Sequence, residues 1–204
     1  MARVLILFAH PALEKSRVHR RLIGNVPALP GITFHDLYEA YPTFDIDVAR
    51  EKALLTAHDV IVLQHPFFWY STPALLKQWQ DLVLEHGWAY GSTGKALQGK
   101  TVFNLLTAGG REPGYRRDGY NRHTVRDLLA PIEQTMRLCN MRYLPPYVIF
   151  GTHWMDEAAI AAVVQGYSTL LAALHDGKVD LEGAEALPTL NAAVEHLLAG
   201  EGWR

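Results

Sequence analysis

The sequence predicts an α/β fold in which a five-stranded parallel sheet lies between two layers of helices. Short apolar runs recur along the chain, as in strands that are buried on both faces. Stretches with helical spacing separate these runs, and strict alternation of strands and helices implies right-handed crossovers and a parallel sheet. The 204 residues suffice for one domain with a substantial core, and 49% hydrophobic with 20% charged residues is an ordinary globular composition.

The first half of the chain accounts for three strands and two helices. Residues 4–9 (VLILFA) are continuously apolar and predict the first strand, covered on both faces. Residues 16–26 predict a helix with Ser16 as its N-cap. Residues 32–37 (ITFHDL) alternate and predict the second strand, 47–57 predict a short helix, and the apolar run 60–63 predicts the third strand.

The second half accounts for two more strands and three helices. Pro73 is expected near the first turn of a helix. The apolar residues of that helix follow a helical period: Leu75, Leu76, Trp79, Leu82 and Val83. Further strands are expected at 101–106 and 147–150, and further helices at 124–141 and 156–175.

Five strands in this pattern favour a flavodoxin-like three-layer sandwich of strand order 2-1-3-4-5 over residues 1–175. A Rossmann sheet is the alternative, but the first βα turn, residues 10–16, contains no glycine and so no G-x-G-x-x-G. Residues 176–204 are predicted to be a C-terminal extension with one short helix, packed on the domain or on a dimer partner. Its apolar residues have helical spacing: Leu187, Leu190, Val194, Leu197 and Leu198.

Composition and charge exclude several classes of protein. The 19 basic and 21 acidic residues give a net charge of −2, so there is no electrostatic case for binding nucleic acid or anionic lipid. No apolar run reaches the roughly 18 residues that span a bilayer, and the N-terminus is interpreted as a strand. One cysteine, Cys139, suits a reducing cytosol, and we expect it to be a buried core residue. The ten histidines lack metal-binding spacing, so no metal site is predicted.

Three loops are expected to converge on one site. In an open parallel sheet, ligands bind beyond the carboxyl ends of the strands, where the strand order reverses. For order 2-1-3-4-5 this point lies between strands 1 and 3, with strand 4 beside it. The loops that follow these strands are residues 10–18, 64–73 and 107–121, and they are the most unusual loops in the sequence.

The first of these loops predicts a phosphate site. A helix N-terminus offers unpaired N–H groups, Ser16 adds a hydroxyl, and His10 and Arg17 add donors that are cationic when protonated. The alternative is that Ser16 only caps a helix and His10 only closes a turn.

The second loop contains four adjacent aromatic residues, 67–70 (FFWY). Neighbouring side chains of extended chain point to opposite sides, so one or two of them should line a cleft or an interface. An aromatic wall with backbone donors suits a flat heteroaromatic ligand. A core or dimer cluster is the alternative.

The third loop begins with small residues at the end of a strand. Gly109 and Gly110 let the backbone approach the edge of a ligand closely, although ordinary turns use the same pair. Arg111, Arg116 and Arg117 either contact the phosphates of a nicotinamide cofactor or belong to a solvated basic loop. The three loops thus offer donors for a phosphate, aromatic side chains for a flat ring, and glycines that let the backbone approach the edge of that ring. Together, at three adjacent strand ends, these features describe a flavin mononucleotide (FMN) site.

Several motifs carry a family resemblance over about residues 3–175. They are FAHP at 8–11, LYEAYPTFDID at 37–47, HPFFWYSTPALLKQW at 65–79, HGWAYG at 86–91, TAGG at 107–110 and YLPPY at 143–147. With them the chain resembles the NAD(P)H:quinone oxidoreductases of the flavodoxin-like superfamily, the DT-diaphorase type. Within that type it is most similar to the ancillary oxidoreductases of the Kef glutathione-gated potassium-efflux systems.

The resemblance implies which residues form the site. Tyr115 would lie over the flavin and help to stabilise its reduced form. His123 would be the nearest histidine for proton transfer, because Asn121 stands where the larger quinone reductases have a histidine. Arg17 and Val18 replace an aromatic residue and an asparagine of those enzymes, which favours FMN over FAD. The implied cofactor-binding residues are His10, Ser16, Arg17, Val18, His19, Pro66, Phe67, Phe68, Trp69, Tyr70, Thr107, Ala108, Gly109, Gly110 and Tyr115.

The implied activity is a two-electron, ping-pong transfer of hydride from NAD(P)H through FMN to a quinone or similar small electrophile. The resemblance also implies a cytoplasmic homodimer. A regulatory subunit that binds a membrane potassium-efflux protein, and so lies at the inner membrane through that partner, is one alternative. A one-electron carrier like flavodoxin is another, although such carriers usually have a strongly acidic face.

Overall fold

The sheet has the predicted topology. In the computed structural model, which describes residues 1–199, the strands are parallel in the order β2-β1-β3-β4-β5, and β6 also pairs with β4. The flavodoxin-like order 2-1-3-4-5 is therefore confirmed. The strands are β1 (Val4–Phe8), β2 (Ile32–Asp36), β3 (Val60–Pro66), β4 (Thr101–Thr107), β5 (Arg142–Tyr143) and β6 (Tyr147–Ile149).

Helices cover both faces of the sheet. They are α1 (Arg17–Ile23), α2 (Leu37–Ala40), α3 (Val48–Ala57), α4 (Ala74–Val83), α5 (Val125–Leu128), α6 (Ala130–Leu138), α7 (Glu157–Asp176), α8 (Leu181–Glu185) and α9 (Asn191–Leu198). Leu5 and Leu7 of β1 pack in the hydrophobic cluster of α3, α4 and α6, whereas Val4 and Ile6 pack in the cluster of α1 and α7. Strands buried on both faces explain why the sequence shows continuous apolar runs there.

The fifth strand differs from its prediction. Instead of one strand at 147–150, two short segments, β5 and β6, pair with successive parts of β4. Pro145 and Pro146 lie between them and have no N–H to donate to a ladder, so the strand is interrupted there.

The prediction of one continuous helix at 124–141 is also wrong, because two helices, α5 and α6, occupy this stretch. Thr124 and Asp127 form a capping box that starts α5, and Leu129 ends it. Pro131 then lies in the first turn of α6, the one part of a helix that tolerates proline. Cys139 follows α6 and is buried as predicted, and burial raises the pKa of its thiol to about 11.

A buried carboxylate joins several elements on one side of the sheet. Glu51 of α3 has no solvent exposure. It accepts hydrogen bonds from the Tyr41 hydroxyl (2.5 Å), His35 Nε2 (2.7 Å) and the Trp79 indole N–H (2.8 Å). Burial alone would raise the pKa of Glu51, but these hydrogen bonds outweigh it and the pKa is lowered.

The long helix α7 is a core helix of this domain. By length and composition alone it is apolar enough to cross a membrane. Its residues Tyr167, Leu170 and Leu171 are fully buried in the cluster against the sheet. We therefore attribute its apolar character to packing.

The C-terminal extension contains two helices, α8 and α9, where one was predicted. Residues 200–204 lie outside the described part of the chain. Leu190 and Val194 are buried in the same cluster as α7, so the extension packs on its own domain. The side-chain amide of Asn191 donates to Val148 O (2.8 Å) and accepts from Val148 N (3.0 Å), as a neighbouring strand would. Asn191 thereby satisfies both backbone groups of Val148 on the edge of β6, and unpaired strand edges are sites at which proteins aggregate.

Replacing Asn191 with alanine is expected to lower the free energy of unfolding by about 1–3 kcal/mol, because two backbone groups of Val148 lose their partners. Urea denaturation measures this loss, and Glu195→Ala, an exposed position on the same helix, serves as the control. Equal stability of the two variants would contradict the proposed role of Asn191.

Candidate functional site

A cavity of about 550 Å³ opens at the carboxyl end of the sheet, at the predicted switch point. Residues from all three predicted loops line it. The loop after β1 and the start of α1 contribute His10, Ala12, Lys15, Ser16, Arg17 and Val18. The loop after β3 contributes Pro66, Phe67, Phe68 and Trp69, and the ends of β4 and β6 contribute Thr107, Gly109, Thr152 and His153.

The start of α1 offers hydrogen-bond donors to this cavity. Ser16 is the N-cap, and its Oγ accepts from His19 N at 3.1 Å, which leaves the hydroxyl proton free to donate elsewhere. Among the described residues, the N–H groups of Arg17 and Val18 donate no hydrogen bond. Lys15 adds a cationic side chain to the same end of the cavity.

His10 contributes a neutral donor. Its Nδ1 accepts a hydrogen bond from Ala12 N at 3.1 Å, so the ring proton of the neutral form lies on Nε2. Burial lowers the pKa of His10, outweighing the nearby Glu14 carboxylate, and this favours the uncharged ring at neutral pH. The sequence left open a cationic imidazole at this position. Burial of His10 favours the neutral ring instead.

Arg17 is already engaged by protein groups. Its guanidinium donates to Glu157 Oε1 and to the carbonyl of Met155, both at 3.1 Å. These bonds tie the start of α1 to the start of α7. Arg17 therefore forms part of the cavity wall with its charge paired.

The aromatic loop is a tight turn. Trp69 and Tyr70 have φ values of 51° and 62°, the left-handed region that bulky residues rarely adopt, and Ser71 N donates to Phe68 O at 3.0 Å. The turn divides the four aromatics: Phe67 is buried, while Trp69 is 93% exposed at the rim of the cavity. Such strain in bulky residues is typical of functional sites.

Two contacts fix the turn and the glycine loop relative to each other. The Tyr70 hydroxyl donates to Asn121 Oδ1 at 3.1 Å. The Tyr115 ring packs on Phe67 and Phe150, with centroid distances of 6.1 and 5.6 Å. A Cβ at Gly110 would lie 3.3 Å from the Tyr115 hydroxyl oxygen, so the absence of a side chain there makes room for the tyrosine.

The family of this chain is known because a family model matches most of its length. Residues 2–171 match the family model described as flavodoxin-like fold. The chain belongs to the flavodoxin-like fold family. A relative from Enterobacter sp. (strain 638), the glutathione-regulated potassium-efflux system ancillary protein KefG, is 42% identical over 171 residues, which cover 84% of this chain and 93% of the relative.

Two solved flavodoxin-like structures resemble this one closely. General stress protein 14 from Treponema denticola, solved in complex with FMN, is 40% identical, has a TM-score of 0.78 and aligns over 84% of this chain and 99% of its own. An NADPH-quinone reductase from P. pentosaceus is 28% identical, has a TM-score of 0.75 and aligns over 83% of this chain and 97% of its own. The relatives of this chain thus include an ancillary protein of a potassium-efflux system, a protein solved with FMN and a quinone reductase.

Some residues assigned from the sequence do not line the cavity. His19 is fully buried behind it, where its Nε2 lies 3.0 Å from Thr107 Oγ1. Ala108 is buried, and its N–H donates to Ile149 O. His123 is exposed on the surface. Three further assigned residues are neighbours of residues that line the cavity but do not line it themselves: Tyr70, Gly110 and Tyr115.

Four lining residues were missed by the sequence analysis. Ala12 and Lys15 lie in the first loop, beside residues that were assigned. Thr152 and His153 follow β6, and the rule that sites form beyond the strand ends would have found them if the loop after the fifth strand had been included. A Cβ at Gly109 would lie 2.4 Å from His153 Nε2, so this glycine makes room for the imidazole.

A buried network of hydrogen-bonded polar groups lies next to the aromatic turn. His65 is fully buried, and its Nδ1 lies 3.0 Å from the carbonyl oxygen of Pro66, which also accepts from Phe68 N. Its Nε2 lies 2.8 Å from Asn104 Nδ2, and Asn104 Oδ1 accepts from the Tyr143 hydroxyl. Burial lowers the pKa of His65 to about 4, so the ring is neutral and this pattern requires the proton on Nδ1.

The His65 pKa predicts a loss of stability in acid. The unfolded chain binds a proton at its ordinary pKa of 6.5, but the folded chain does so only near 4, so His65 stabilises the fold fully above pH 6.5 and progressively less as the pH falls to about 4. The loss attributable to His65 reaches roughly 3 kcal/mol at pH 4. Urea denaturation from pH 8 to 4 should show a shallower decline for His65→Asn than for the parent protein. Parallel declines would contradict this assignment.

Proposed function

We propose that this protein is an FMN-dependent NAD(P)H:quinone oxidoreductase that transfers two electrons in a ping-pong reaction. The observation that carries the proposal is that groups suited to a phosphate and an aromatic wall line one and the same cavity. Its volume of about 550 Å³ is within the usual range for small-molecule sites. The 40% identity to a chain solved with FMN supports this choice of flavin.

The start of α1 suits the phosphate of FMN. Lys15 supplies positive charge, the Ser16 hydroxyl and the backbone N–H groups of Arg17 and Val18 supply donors, and His10 supplies Nε2–H. Groups of this kind bind phosphate elsewhere because N–H donors and positive charge act together. We assign them to the phosphate and the adjoining ribityl chain.

The remaining walls suit the flavin ring. Phe68 and Trp69 present aromatic surface to the cavity. The backbone N–H groups of Trp69, Gly109 and Gly110 donate no hydrogen bond to the described residues. These donors match the carbonyl and nitrogen acceptors along the polar edge of an isoalloxazine.

The chain's own residues position the reaction and stabilise charge. A bound flavin supplies the hydride chemistry. The exposed rim at Trp69 leaves one side of the cavity open to a nicotinamide and then to a quinone. Burial raises the pKa of Tyr115, and the negative charge that Tyr70 can carry raises it further, so the Tyr115 hydroxyl remains a hydrogen-bond donor. We assign this donor to the stabilisation of negative charge at the ring.

The direct test is the purified protein itself. We expect a yellow protein that releases FMN on denaturation and oxidises NADH or NADPH only when a quinone is present. Initial rates at several fixed quinone concentrations should give the parallel double-reciprocal lines of a ping-pong reaction. Tight FMN binding without quinone turnover would refute the enzymatic proposal and leave the flavin site standing.

A second proposed role is that of an ancillary subunit of a potassium-efflux system. The 42% identity to KefG, over 93% of that relative, favours it. We expect the protein to bind the cytoplasmic side of such a membrane protein, either as a catalyst or as a structural activator. Reconstituted efflux measured with and without the protein tests this role, and absence of any effect on efflux would contradict it.

The remaining assignments complete the proposal. We propose that the protein is cytoplasmic, reaches the inner membrane only through such a partner, and forms a homodimer. The exposure of Trp69 beside the cavity is compatible with a second subunit there. Sedimentation analysis of the FMN-loaded protein tests the dimer, which a monomeric mass would contradict.

A further inference from the structure

A fourth loop takes part in the cavity, in addition to the three that the sequence predicted. Thr152 and His153, which follow β6, line the cavity. Their loop is joined to the glycine loop that follows β4. Gly151 N donates to Gly110 O at 2.9 Å, and Thr152 N donates to Ala108 O at 3.2 Å. The two loops therefore form one connected wall of the cavity.

The imidazole of His153 has a defined place in this wall. Because a Cβ at Gly109 would lie 2.4 Å from His153 Nε2, the ring packs directly against the backbone of Gly109. The ring also meets the Trp154 indole edge to face, with a centroid distance of 5.9 Å. The Arg111 guanidinium lies 4.9 Å from the centroid of the same indole, a cation–π contact that holds the indole in turn. His153 is thus positioned by packing.

The ring nitrogens of His153 are not used by the protein. Within residues 1–199, neither Nδ1 nor Nε2 forms a hydrogen bond or an ion pair. His10, the other histidine of the cavity, differs because its Nδ1 already accepts from Ala12 N. A neutral imidazole carries one N–H donor and one acceptor nitrogen. Both groups of His153 are therefore available to a ligand in the cavity.

His153 lies between the two ends of the proposed flavin site. Gly109, against which its ring packs, belongs to the glycine loop that we assign to the polar edge of the flavin ring. Two residues beyond His153, the carbonyl oxygen of Met155 accepts from Arg17 at the start of α1, the end that we assign to the phosphate. The part of FMN that joins ring and phosphate is the ribityl chain, whose hydroxyl groups both donate and accept hydrogen bonds.

We propose that His153 binds the ribityl hydroxyl groups of FMN through its ring nitrogens. This inference rests on the proposed function, because it concerns the ligand of the same cavity. It gives a role in that site to the loop after β6, beside the groups that follow β1, β3 and β4. Since Gly109 and Trp154 already hold the ring, binding costs His153 little conformational entropy.

The test measures the binding of two flavins to the apoprotein. Riboflavin has the ring and the ribityl chain of FMN but lacks the phosphate, so a contact to the ribityl chain affects both ligands equally. Dissociation constants are measured by quenching of flavin fluorescence for the parent protein, His153→Phe and His153→Gln. His153→Phe keeps an aromatic ring beside Gly109 and Trp154 but removes both nitrogens.

We expect His153→Phe to raise the dissociation constants of FMN and riboflavin by about tenfold each, which corresponds to the loss of one hydrogen bond. His153→Gln restores a donor and an acceptor, so it should raise them by only about threefold. The visible absorption spectrum of bound FMN reports on the ring, and it should be the same in the parent protein and in both variants.

His86→Phe is the matched control. His86 is exposed, meets the Tyr90 ring edge to face and packs against a glycine, Gly91, but it does not line the cavity. The same chemical change there should leave both dissociation constants unchanged. His153 is also exposed, so neither of its variants should impair folding, which urea denaturation checks.

Four results would overturn the inference while the proposed function stands. Weaker binding of FMN alone would place His153 at the phosphate, and a shifted spectrum would place it at the ring. Unchanged constants in His153→Phe would show that the imidazole does not contact the ligand, and equal losses in His153→Phe and His153→Gln would show that its hydrogen bonds do not matter. FMN binding without quinone turnover would instead refute the enzymatic proposal alone. A parent protein that binds neither flavin would overturn both.

Discussion

Replacing Glu51 with alanine is expected to lower the free energy of unfolding by about 3–5 kcal/mol, the largest stability effect that we predict. Glu51 is fully buried and accepts hydrogen bonds from His35, Tyr41 and Trp79. Its removal leaves the indole N–H of Trp79 and the hydroxyl of Tyr41 without an acceptor, and it opens a void among packed side chains. Urea or thermal denaturation at pH 7 measures the loss.

Glu51→Gln keeps the volume and one acceptor oxygen, so it should be less destabilising than Glu51→Ala. Glu39→Ala, at an exposed position, should change stability by no more than about 0.5 kcal/mol. Because the folded pKa of Glu51 is below its ordinary 4.5, its contribution is present above that pH and is lost as the pH falls through the folded value. A stable Glu51→Ala protein would show that the cluster is not needed for stability.

Replacing Tyr115 with phenylalanine is expected to lower kcat for NAD(P)H-dependent quinone reduction by about 100-fold, the usual effect of removing one donor to developing negative charge. The Tyr115 hydroxyl lies at Gly110, beside the proposed polar edge of the flavin. Its ring is held by Phe67 and Phe150, and phenylalanine preserves those contacts. FMN binding should therefore be retained while turnover falls. Stopped-flow kinetics of flavin reduction and reoxidation separates the two half-reactions.

Tyr120→Phe makes the same chemical change at a side chain that is 91% exposed, and it should leave turnover unchanged. His123→Gln tests the role that the family resemblance implies for His123. The exposed position of His123 leads us to expect a much smaller effect than at Tyr115. A Tyr115→Phe protein with parental kcat would exclude the hydroxyl from the reaction.

The sequence was sufficient to locate most of the strands because a continuous apolar run indicates a strand that is buried on both faces. The run at 4–9 is apolar throughout, and the structure buries both faces of β1 against helices. The same reasoning failed at 124–141, where helical spacing continues through Pro131 but the backbone cannot. It failed again at the fifth strand, where two prolines divide an apolar stretch.

The candidate site was only partly predictable. The switch-point rule located the cavity and three of its loops, because the ends of parallel strands meet at one edge of the sheet. His19 lies one residue from the cavity-lining Val18 and is buried, since successive residues of a helix point in different directions. Thr152 and His153, distant in sequence, reach the cavity instead.

The sequence by itself determined the layers, the strand order and the end of the sheet at which the cavity opens, because these depend on local periodicity and on general rules of chain connection. Only the tertiary structure decided the charge states and partners of the site residues. Burial and contacts between distant segments set the neutral form of His10, the Arg17–Glu157 bridge and the left-handed turn at Trp69. Such contacts join residues as far apart as α1 and α7, and no local pattern in the sequence records them.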